Sequence, residues 1–450
     1  MHKSTALLTD MYELTMVEST LESGTASRKS VFEVFNRRLP SGRRYGVVAG
    51  TGRVLDEITR FTFSDDELSF LADNNVVSPK TIDWLANYKF TGDIYGYNEG
   101  EVFFPHSPIM TVTGTFAEAV VLETLILSIL NHDSAVAAAA SRMTIAAHGR
   151  PCLEMGARRT HERAAVSAAR AAAVGGFTGT SVLEAGRAYG IPTIGTAAHS
   201  FTLVHDTEEE AFEAQISSMG PGTTLLVDTY DVTRGVERAV AAARKAGGEL
   251  GAVRLDSGDL VAQAITVRRQ LDQLGATSTK ITVTSDLNEY AIAALGAAPV
   301  DSYGVGTKLV TGSGFPTAEL VYKLVAREDA SGTMKEVAKK SSQKASHGGL
   351  KVAGRISDLD GVAREELVVS AGSWEQGLAK LSDMDACPLQ VPLVLGGEIQ
   401  PRSTVQEAAE HHIASRNSLP YQAWRLSDGE PAIPTTMLDI FEGDDNPYEG

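Results

Sequence analysis

Cysteine, basic charge and long uninterrupted apolar runs are all scarce in this sequence. The two cysteines, Cys152 and Cys387, lie far apart, so they provide neither a disulfide framework nor a CxxC zinc pattern. The amino-terminal segment MHKSTALLTDMYEL lacks the apolar core of a signal peptide. The most apolar stretch, residues 119–130, contains Glu123 and is too short to span a bilayer. These absences predict a cytoplasmic protein that is not inserted in a membrane.

Acidic residues outnumber basic ones, 57 to 40, which gives a formal net charge of −17. This balance argues against binding nucleic acid through surface charge, although a small local pocket of arginine and lysine for a phosphorylated ligand is compatible with it. The chain has 450 residues, of which 43% are hydrophobic and 22% charged. Such a chain is globular, and its length predicts two or three domains.

The middle of the chain alternates apolar strand candidates with alanine-rich helix candidates. The strand candidates are Ile191–Gly195, Thr224–Val227, Leu250–Val253, Lys280–Val283 and Ser302–Val305. Segments such as Gly235–Ala246 and Leu260–Leu274 fill the intervals as helices. This spacing predicts parallel βα units.

The flanking regions are less regular. Residues 116–149 indicate one or two long helices, with Asn131–Ser134 as a break or cap, and residues 403–416 indicate another helix. Residues 335–351 are basic and contain glycine, which predicts a mobile loop. The last dozen residues are acidic, which predicts a frayed tail.

Polar residues follow each strand candidate of the middle region. They lie in the segments Thr196–Ser200, Asp228–Asp231, Arg254–Asp259, Ser285–Asp286 and Gly304–Lys308. The carboxyl ends of parallel strands share one face, where ligands bind. We therefore expect these segments to surround one ligand site.

The residue types at these strand ends suit a phosphorylated sugar. The turn Gly304–Lys308 offers backbone N–H groups, a hydroxyl and an ammonium to a phosphate, although a tight βα turn would have the same sequence. The aspartates suit ribose hydroxyls and Mg²⁺, and the alternative for each is a helix N-cap. His199 has three open roles, namely general base, metal ligand and covalent nucleophile. Arg158 and Arg159 suit a planar carboxylate, and Phe177 suits stacking on a flat ring.

Several segments, taken in order, resemble the nicotinate phosphoribosyltransferases of the type II phosphoribosyltransferase group. The matching segments are Thr9–Met16, Met155–Arg159, Gly175–Phe177, Gly195–Phe201, Asp228–Asp231, Arg254–Asp259, Ser285–Leu287 and Gly304–Thr307. The resemblance covers about residues 5–425. Its most specific parts are the segments around His199 and Asp256.

The resemblance implies a reaction and a fold. Nicotinate and 5-phosphoribosyl 1-pyrophosphate (PRPP) would give nicotinate mononucleotide and pyrophosphate with Mg²⁺, coupled to ATP hydrolysis through a phosphohistidine at His199, in NAD salvage. The implied fold is α/β. An irregular parallel barrel over residues 125–315 would carry the active site, and residues 1–124 and 316–450 would form a second α/β domain.

The resemblance also implies roles for single residues. Nicotinate would contact Tyr12, Arg158, Thr196 and Arg254, and its ring would stack on Phe177. Tyr12 would come from the partner subunit of a homodimer. Besides His199, Asp256 would be catalytic, and PRPP would contact Ser285, Asp286, Gly304, Gly306 and Thr307. Whether Arg158 or Arg159 faces the carboxylate stays open, and the metal ligands are not assigned.

Three rival functions compete with this one. The pyridine substrate of the same transfer could be nicotinamide or quinolinate, but paired arginines favour a carboxylate over an amide, and quinolinate transfer would release CO₂ without ATP or His199. A non-catalytic phosphosugar-binding protein would have the same fold. A metal-dependent barrel hydrolase would need a histidine pair at ligand spacing to His199, which the sequence lacks.

Overall fold

The structure is a computed structural model that describes residues 4–339 and 347–441. Residues 442–450 of the predicted acidic tail and residues 340–346 of the predicted basic loop lie outside the described residues. The chain divides into two compact units. One consists of the residues up to Ala135 together with those from Thr317 onward, and the other is Val136–Pro316.

The helices and strands are numbered in chain order. The helices are α1 (Met11–Ser23), α2 (Thr51–Ile58), α3 (Asp65–Asp73), α4 (Pro79–Ala86), α5 (Phe116–Val120), α6 (Glu123–Ala146), α7 (Glu162–Val174), α8 (Leu183–Tyr189), α9 (His199–Leu203), α10 (Glu208–Met219), α11 (Val232–Lys245), α12 (Leu260–Gln273), α13 (Glu289–Ala294), α14 (Thr307–Val310), α15 (Trp374–Asp383) and α16 (Val405–Asn417). The strands are β1 (Lys29–Asn36), β2 (Gly46–Val47), β3 (Asp93–Tyr97), β4 (Val102–Phe103), β5 (Met110–Thr115), β6 (Cys152–Glu154), β7 (Gly179–Thr180), β8 (Thr224–Leu226), β9 (Ala252–Leu255), β10 (Lys280–Val283), β11 (Ser302–Val305), β12 (Leu320–Glu328), β13 (Met334–Glu336), β14 (Leu350–Ser357), β15 (Ala363–Ala371), β16 (Cys387–Pro388), β17 (Gln390–Leu395), β18 (Glu398–Ile399) and β19 (Thr435–Asp439).

The unit Val136–Pro316 is built on a six-stranded parallel sheet in the order β7-β6-β11-β10-β9-β8. The sheet is curled as a half barrel, which confirms the parallel α/β fold class predicted from the sequence. Its central strands are mostly buried, as expected where helices cover a parallel sheet. The helices between them begin at side-chain caps. Asp231 caps α11 and Asp259 caps α12, by accepting hydrogen bonds from the N–H groups of Arg234 and Ala262.

Several strands of this sheet differ from those predicted. Ile191–Gly195 is not a strand and contributes only an isolated bridge between Thr193 and Thr180. Pro192 has no N–H group to donate to a ladder, which limits pairing there. The short strands β6 and β7 complete the sheet instead, and neither was predicted. The candidate Leu250–Val253 is displaced to Ala252–Leu255.

The unit that combines both ends of the chain contains two larger sheets. The seven-stranded sheet has the order β13-β12-β1-β5-β3-β17-β18, and the four-stranded sheet has the order β16-β14-β15-β19. Strand β1 lies inside the first sheet and is buried over seven of its eight residues. Both ends of the basic loop predicted at 335–351 belong to strands, because Met334–Glu336 and Leu350–Ser357 pair with neighbours.

The helical region predicted at residues 116–149 is confirmed, because α5 and α6 cover residues 116–120 and 123–146. The helix breaks at Val121–Leu122 and continues through 131–134, where Asn131 and Asp133 make hydrogen bonds to other segments of the chain. Phe116–Ala146 spans 31 residues and is long and apolar enough to cross a membrane by length and composition. The expectation that this region is too short was therefore wrong. However, 67% of its most apolar window is buried inside the fold, and a buried core helix passes the same test.

A buried ionic network lies within the unit formed by both chain ends. Arg355 donates hydrogen bonds to Glu101 at 2.6 Å and to Glu366 at 2.8 Å, and His411 Nε2 lies 2.7 Å from the other oxygen of Glu101. Burial opposes the charged form of Glu101, but the His411 hydrogen bond and the Arg355 charge outweigh it and lower its pKa to about 2. Burial also lowers the pKa of His412, which donates to the Gly100 carbonyl, to about 3.

The lowered pKa values of Glu101 and His412 predict that acid destabilises the folded state. His412 takes up its proton at about 6.5 when unfolded but at about 3 when folded, and Glu101 does so at 4.5 and about 2. Both pKa values are lower in the folded state, so the unfolded state binds more protons and stability falls as the pH drops from 6.5 to 2. Thermal melts across this range measure the fall. His412→Asn keeps a donor but cannot titrate, so its melting temperature should fall less between pH 6.5 and 4. The surface control His161→Asn should keep the wild-type slope, and an equally steep fall in His412→Asn would contradict the assignment.

Candidate active site

A cavity of about 750 Å³ opens at the carboxyl ends of the parallel strands. Its lining residues are Met155, Arg158, Arg159, Ala198, His199, Arg254, Asp256, Thr284, Ser285, Asp286, Gly304, Gly306 and Thr307. A smaller cavity of about 320 Å³ shares part of this wall and is lined by Met155, Ala157, Arg158, Ser181, Ile194, Gly195, Thr196, Ala197, Ala198 and Arg254. Thus all site residues predicted from the sequence, other than Tyr12 and Phe177, line one or both cavities.

His199 lies at the first turn of α9, with its side chain 41% exposed. Its Nδ1 atom lies 3.1 Å from the Thr229 hydroxyl. Its Nε2 atom lies 3.9 Å from an oxygen of Asp228 and 4.0 Å from an oxygen of Asp256. The imidazole therefore has a hydroxyl on one nitrogen and two carboxylates near the other.

Asp228 is a buried carboxylate that connects the ends of β8 and β9. Its Oδ2 atom accepts hydrogen bonds from the Asp256 N–H and the Ser257 hydroxyl, both at 2.9 Å. Its Oδ1 atom, the one nearest His199, is buried and has no hydrogen-bond partner in the described part of the chain. The sequence analysis expected the segment Asp228–Asp231 at the ligand site but gave Asp228 no role of its own. The sequence signal that could have identified it is its position two residues after a buried strand, where Asp231 is available as the cap of the next helix.

The other aspartates separate into two groups. Asp231 and Asp259 are helix caps, which was the alternative considered for them. Asp256 and Asp286 line the large cavity, and Asp256 accepts a hydrogen bond from the Thr284 hydroxyl. Thr284 is a lining residue that the sequence analysis missed.

The backbone around the large cavity is unusual at two places. Ser285 has a φ of 121°, a conformation that costs a non-glycine residue on the order of 1–3 kcal/mol. Such strain persists where the surrounding structure fixes it, and it is common at ligand sites. At Gly304 a Cβ atom would lie 2.6 Å from both Met155 Sδ and Thr284 Cγ2, so a side chain there would collide with the cavity wall.

Three arginines supply the positive charge of the cavities. Arg158 and Arg159 lie on a single 3₁₀ turn, Ala157–Arg159, and Arg254 lies in β9, where it donates to the Thr196 hydroxyl. Burial lowers the pKa of Arg254, and the charge of Arg158 acts in the same direction against the opposing effects of Asp256 and Asp228. An anion between Arg158 and Arg254 would relieve their repulsion.

Glu154 fixes the turn that carries the two adjacent arginines. Its buried carboxylate accepts hydrogen bonds from the Gly156 N–H and, at 2.5 Å, from the Thr180 hydroxyl. Burial raises its pKa against these hydrogen bonds. The sequence analysis missed Glu154, which no charge pattern distinguishes from a surface glutamate.

The two remaining predicted residues lie elsewhere. Phe177 is 5% exposed, follows the glycines that end α7, and does not line either cavity. Tyr12 belongs to the other unit, on α1, and is 46% exposed. The stacking role of Phe177 and the partner-subunit role of Tyr12 stay predictions. Among the described residues, no group of three or more His, Cys, Asp or Glu side chains could hold a metal ion.

The packing at Gly304 generates a test of the cavity wall. Gly304→Ala should destabilise the fold by about 1–3 kcal/mol, because Met155 and Thr284 must move to admit the methyl group. Urea denaturation gives the free energy of unfolding. Gly296→Ala is the matched control, since a Cβ there has no atom within 4 Å. Equal free energies of unfolding for the two variants would show that Met155 and Thr284 can move without a measurable cost and would contradict this prediction.

Comparison with known proteins gives consistent results at the levels of family, sequence and fold. The family model described as the nicotinate phosphoribosyltransferase N-terminal domain matches residues 7–131, and that of the nicotinate phosphoribosyltransferase family matches residues 151–352. A nicotinate phosphoribosyltransferase of Mycobacterium tuberculosis is 53% identical over 440 residues, covering 96% of this chain and 95% of that protein. One of Bacillus subtilis is 38% identical over 345 residues, covering 75% of this chain and 70% of that protein.

Solved structures share the fold at lower identity. Human nicotinic acid phosphoribosyltransferase matches with a TM-score of 0.79 and 23% identity, covering 96% of this chain and 97% of that chain. The nicotinate-nucleotide pyrophosphorylase of Pyrococcus furiosus matches with a TM-score of 0.74 and 24% identity, covering 92% of this chain and 95% of that chain. The two family models and the relatives at 53% and 38% identity show that the chain belongs to the nicotinate phosphoribosyltransferase family.

Proposed function

We propose that the protein joins nicotinate to the phosphoribosyl group of PRPP, giving nicotinate mononucleotide and pyrophosphate. One ATP and one water are consumed in each cycle through a phosphohistidine at His199, and ADP and phosphate are released. The observation that carries this proposal is the convergence of His199, an arginine pair and the 285–286 and 304–307 turns on adjoining cavities. The reaction is the entry step of NAD salvage, and we place it in the cytoplasm.

The small cavity is the proposed nicotinate site. Arg158 and Arg254 line it together, and the Thr196 hydroxyl holds the Arg254 guanidinium. Guanidinium groups bind carboxylates through strong charge-assisted hydrogen bonds. Nicotinate carries such a carboxylate, whereas nicotinamide does not, so the charge of this wall favours nicotinate.

The large cavity is the proposed PRPP site. The turn that contains Gly304, Gly306 and Thr307 provides backbone and hydroxyl donors for phosphate, and Ser285 adds another hydroxyl. Asp256 and Asp286 suit the ribose hydroxyls. Mg²⁺ is commonly bound by one or two carboxylates with substrate phosphates, so these two aspartates fit it without a larger protein ligand set. When bound, Mg²⁺ would offset the charge of the departing pyrophosphate.

The transfer exchanges one bond at C1 of the ribose for another. The bond from C1 to the pyrophosphate oxygen breaks and its electron pair leaves with pyrophosphate, while the pyridine nitrogen lone pair forms the new bond to C1. The pyridine nitrogen carries no proton, so the step needs no general base. Positive charge develops on the ribosyl group, and the adjacent Asp256 carboxylate stabilises it.

The phosphohistidine step depends on which imidazole nitrogen carries the proton. The carboxylates of Asp228 and Asp256 face Nε2 and favour a proton there, which leaves the lone pair on Nδ1. Nδ1 would attack the terminal phosphorus of ATP and release ADP. Water later cleaves the N–P bond, giving phosphate and restoring the free imidazole.

The catalytic unit is proposed to be a homodimer in which Tyr12 reaches the partner's nicotinate site. Tyr12 and its neighbours Leu8 and Met11 are large side chains that are 46%, 61% and 61% exposed. An exposed apolar surface of this kind is typical of an interface.

A direct assay tests the proposed function. Purified protein with Mg²⁺ and PRPP is offered nicotinate, nicotinamide or quinolinate, each with and without ATP, and mononucleotide is measured by chromatography. Turnover of nicotinate stimulated by ATP is expected. Turnover restricted to quinolinate, or PRPP binding without any turnover, would replace the proposal with one of its rivals.

The stimulation of turnover by ATP leads to a prediction for His199. His199→Ala should lose the stimulation by ATP and form no acid-labile phosphoprotein from labelled ATP. His205→Ala is the matched control, because His205 lies on the same segment and its hydrogen bond and ring contact within the described chain are both to Phe201. ATP stimulation that persists in His199→Ala would contradict the proposed phosphohistidine at His199.

The shared site of the homodimer predicts complementation. Tyr12→Ala and His199→Ala homodimers should each have low ATP-stimulated turnover. Mixed dimers of the two variants contain one site with both residues intact, so turnover should recover to about one half of that of the wild type. The measurement is turnover after co-expression with two affinity tags. A mixed dimer no more active than its parents would place Tyr12 outside the partner's site.

A further inference from the structure

A buried carboxylate connects the segments that follow the two turns proposed to bind PRPP. Glu289 is the first residue of α13 and is 2% exposed. Its Oε2 atom accepts a hydrogen bond of 2.5 Å from the Ser313 hydroxyl, and its Oε1 atom accepts one of 3.1 Å from Arg142 Nε. All three residues belong to Val136–Pro316, so these contacts lie within one compact unit.

The segments joined by Glu289 continue directly from the two turns. The turn 285–286 lines the large cavity and is followed by α13, which starts at Glu289. Residues of the turn 304–307 line the same cavity, and this turn leads through α14 to the short 3₁₀ turn Gly312–Gly314. The hydrogen bond from Ser313 to Glu289 therefore links two segments that each lie only a few residues from a cavity turn.

The groups that form this link have little conformational freedom. Ser313 has a φ of 54°, which a non-glycine residue adopts where the surrounding structure holds it. The Arg142 side chain is 6% exposed and also donates to the Tyr290 hydroxyl at 3.2 Å. Buried ion pairs are often no more stabilising than well-packed apolar residues, but they need a defined geometry. The pair of Arg142 and Glu289 thus fixes the position of the carboxylate that binds Ser313.

We propose that Glu289 is a positioning residue for the phosphoribosyl substrate. Its carboxylate holds the turns 285–286 and 304–307 at the separation that lets both contact one molecule of PRPP. This inference rests on the proposed function for the identity of that substrate. Glu289 acts through the turns, since it is not among the described residues that line either cavity. Neither turn contributes to the described lining of the small cavity, so the link affects PRPP and not nicotinate.

Substitutions that break the link test this role through a split between the two KM values. Glu289→Met removes both hydrogen bonds, whereas Ser313→Ala removes only the one that joins the two segments. Loss of one charge-assisted hydrogen bond to phosphate corresponds to about a 10- to 100-fold change in affinity. Glu289→Met should raise the KM for PRPP by that factor, and Ser313→Ala should raise it in the same direction. Both should leave the KM for nicotinate within about threefold. Glu289→Gln should recover part of the loss, because its amide can accept from Arg142 and donate to the Ser313 hydroxyl.

Glu208→Met is the matched control. Glu208 is also 2% exposed and accepts a hydrogen bond of 3.0 Å from Arg238 in the same unit, but both residues lie outside the described lining of the cavities. This variant should lose stability in circular dichroism melts without raising the KM for PRPP. Equal increases of both KM values in Glu289→Met, or a raised KM for PRPP in Glu208→Met as well, would show a merely structural role and overturn the inference. If Glu289→Met does not fold, the KM values of Ser313→Ala decide.

Direct binding separates this inference from the proposed function. In calorimetry with PRPP and Mg²⁺, without a pyridine, Glu289→Met and Ser313→Ala should bind more weakly than the wild type and Glu208→Met. If the wild type turns over no pyridine but this difference persists, the role of Glu289 holds and the proposed function fails. If nicotinate is turned over but both variants bind PRPP as tightly as the wild type, the proposed function holds and the role of Glu289 is overturned. A wild type that binds no PRPP would overturn both.

Discussion

Parallel pairing in the six-stranded sheet is the constraint on which the candidate site depends. The ladder places one residue from each of four strands in a single row, namely Leu226, Arg254, Thr282 and Ser302. Two residues further along each chain the row becomes Asp228, Asp256, Thr284 and Gly304, on the same face because side chains alternate. The contacts follow that row, since Asp228 accepts from the Asp256 N–H, Thr284 donates to Asp256, and Gly304 lies against Thr284. A slip of one residue would turn these side chains to the other face.

The cavity balances charges that would otherwise repel one another. Burial and the charge of Arg158 act against the charged form of Arg254, while Asp228 and Asp256 act in its favour. An anion bound between the two arginines improves this balance. Near His199, the carboxylates of Asp228 and Asp256 lie 3.9 and 4.0 Å from Nε2, so a cation bound there would offset their charge. The lining of the cavity thus carries charge of both signs.

Short, fixed segments hold the charged groups in place. The buried carboxylate of Glu154 accepts from the Gly156 N–H and anchors the arginine turn to β7 through Thr180. The strained backbone of Ser285 and the crowded Gly304 restrict the opposite wall. Glu154 and Gly304 are buried, and the surrounding structure must hold Ser285 in its strained conformation, so neighbouring segments constrain these parts of the wall.

The sequence by itself determined the parallel α/β class, most strands of the half barrel and the list of polar residues at its strand ends. Those features are local, because apolar runs at regular spacing and the charged or glycine-containing turns that follow them can be recognised within a few residues of sequence. Local signals also led to two wrong predictions. Ile191–Gly195 has the composition of a strand but makes only one bridge. Residues 131–134 are of types that often break a helix, but here the helix is continuous and Asn131 makes a hydrogen bond to Leu320 in another segment. Residue spacing alone did not separate the aspartates, although the resemblance assigned Asp256 and Asp286 to the site. The tertiary structure shows that Asp256 and Asp286 line the cavity and that Asp231 and Asp259 cap helices. It also identified Glu154, which holds the arginine turn, and Thr284, which lines the cavity. It showed that Arg158 lines both cavities, whereas Arg159 lines only the large one. The reason is physical: whether a carboxylate or guanidinium meets a ligand depends on strand register and on the walls contributed by distant segments, and neither is encoded in the spacing of neighbouring residues.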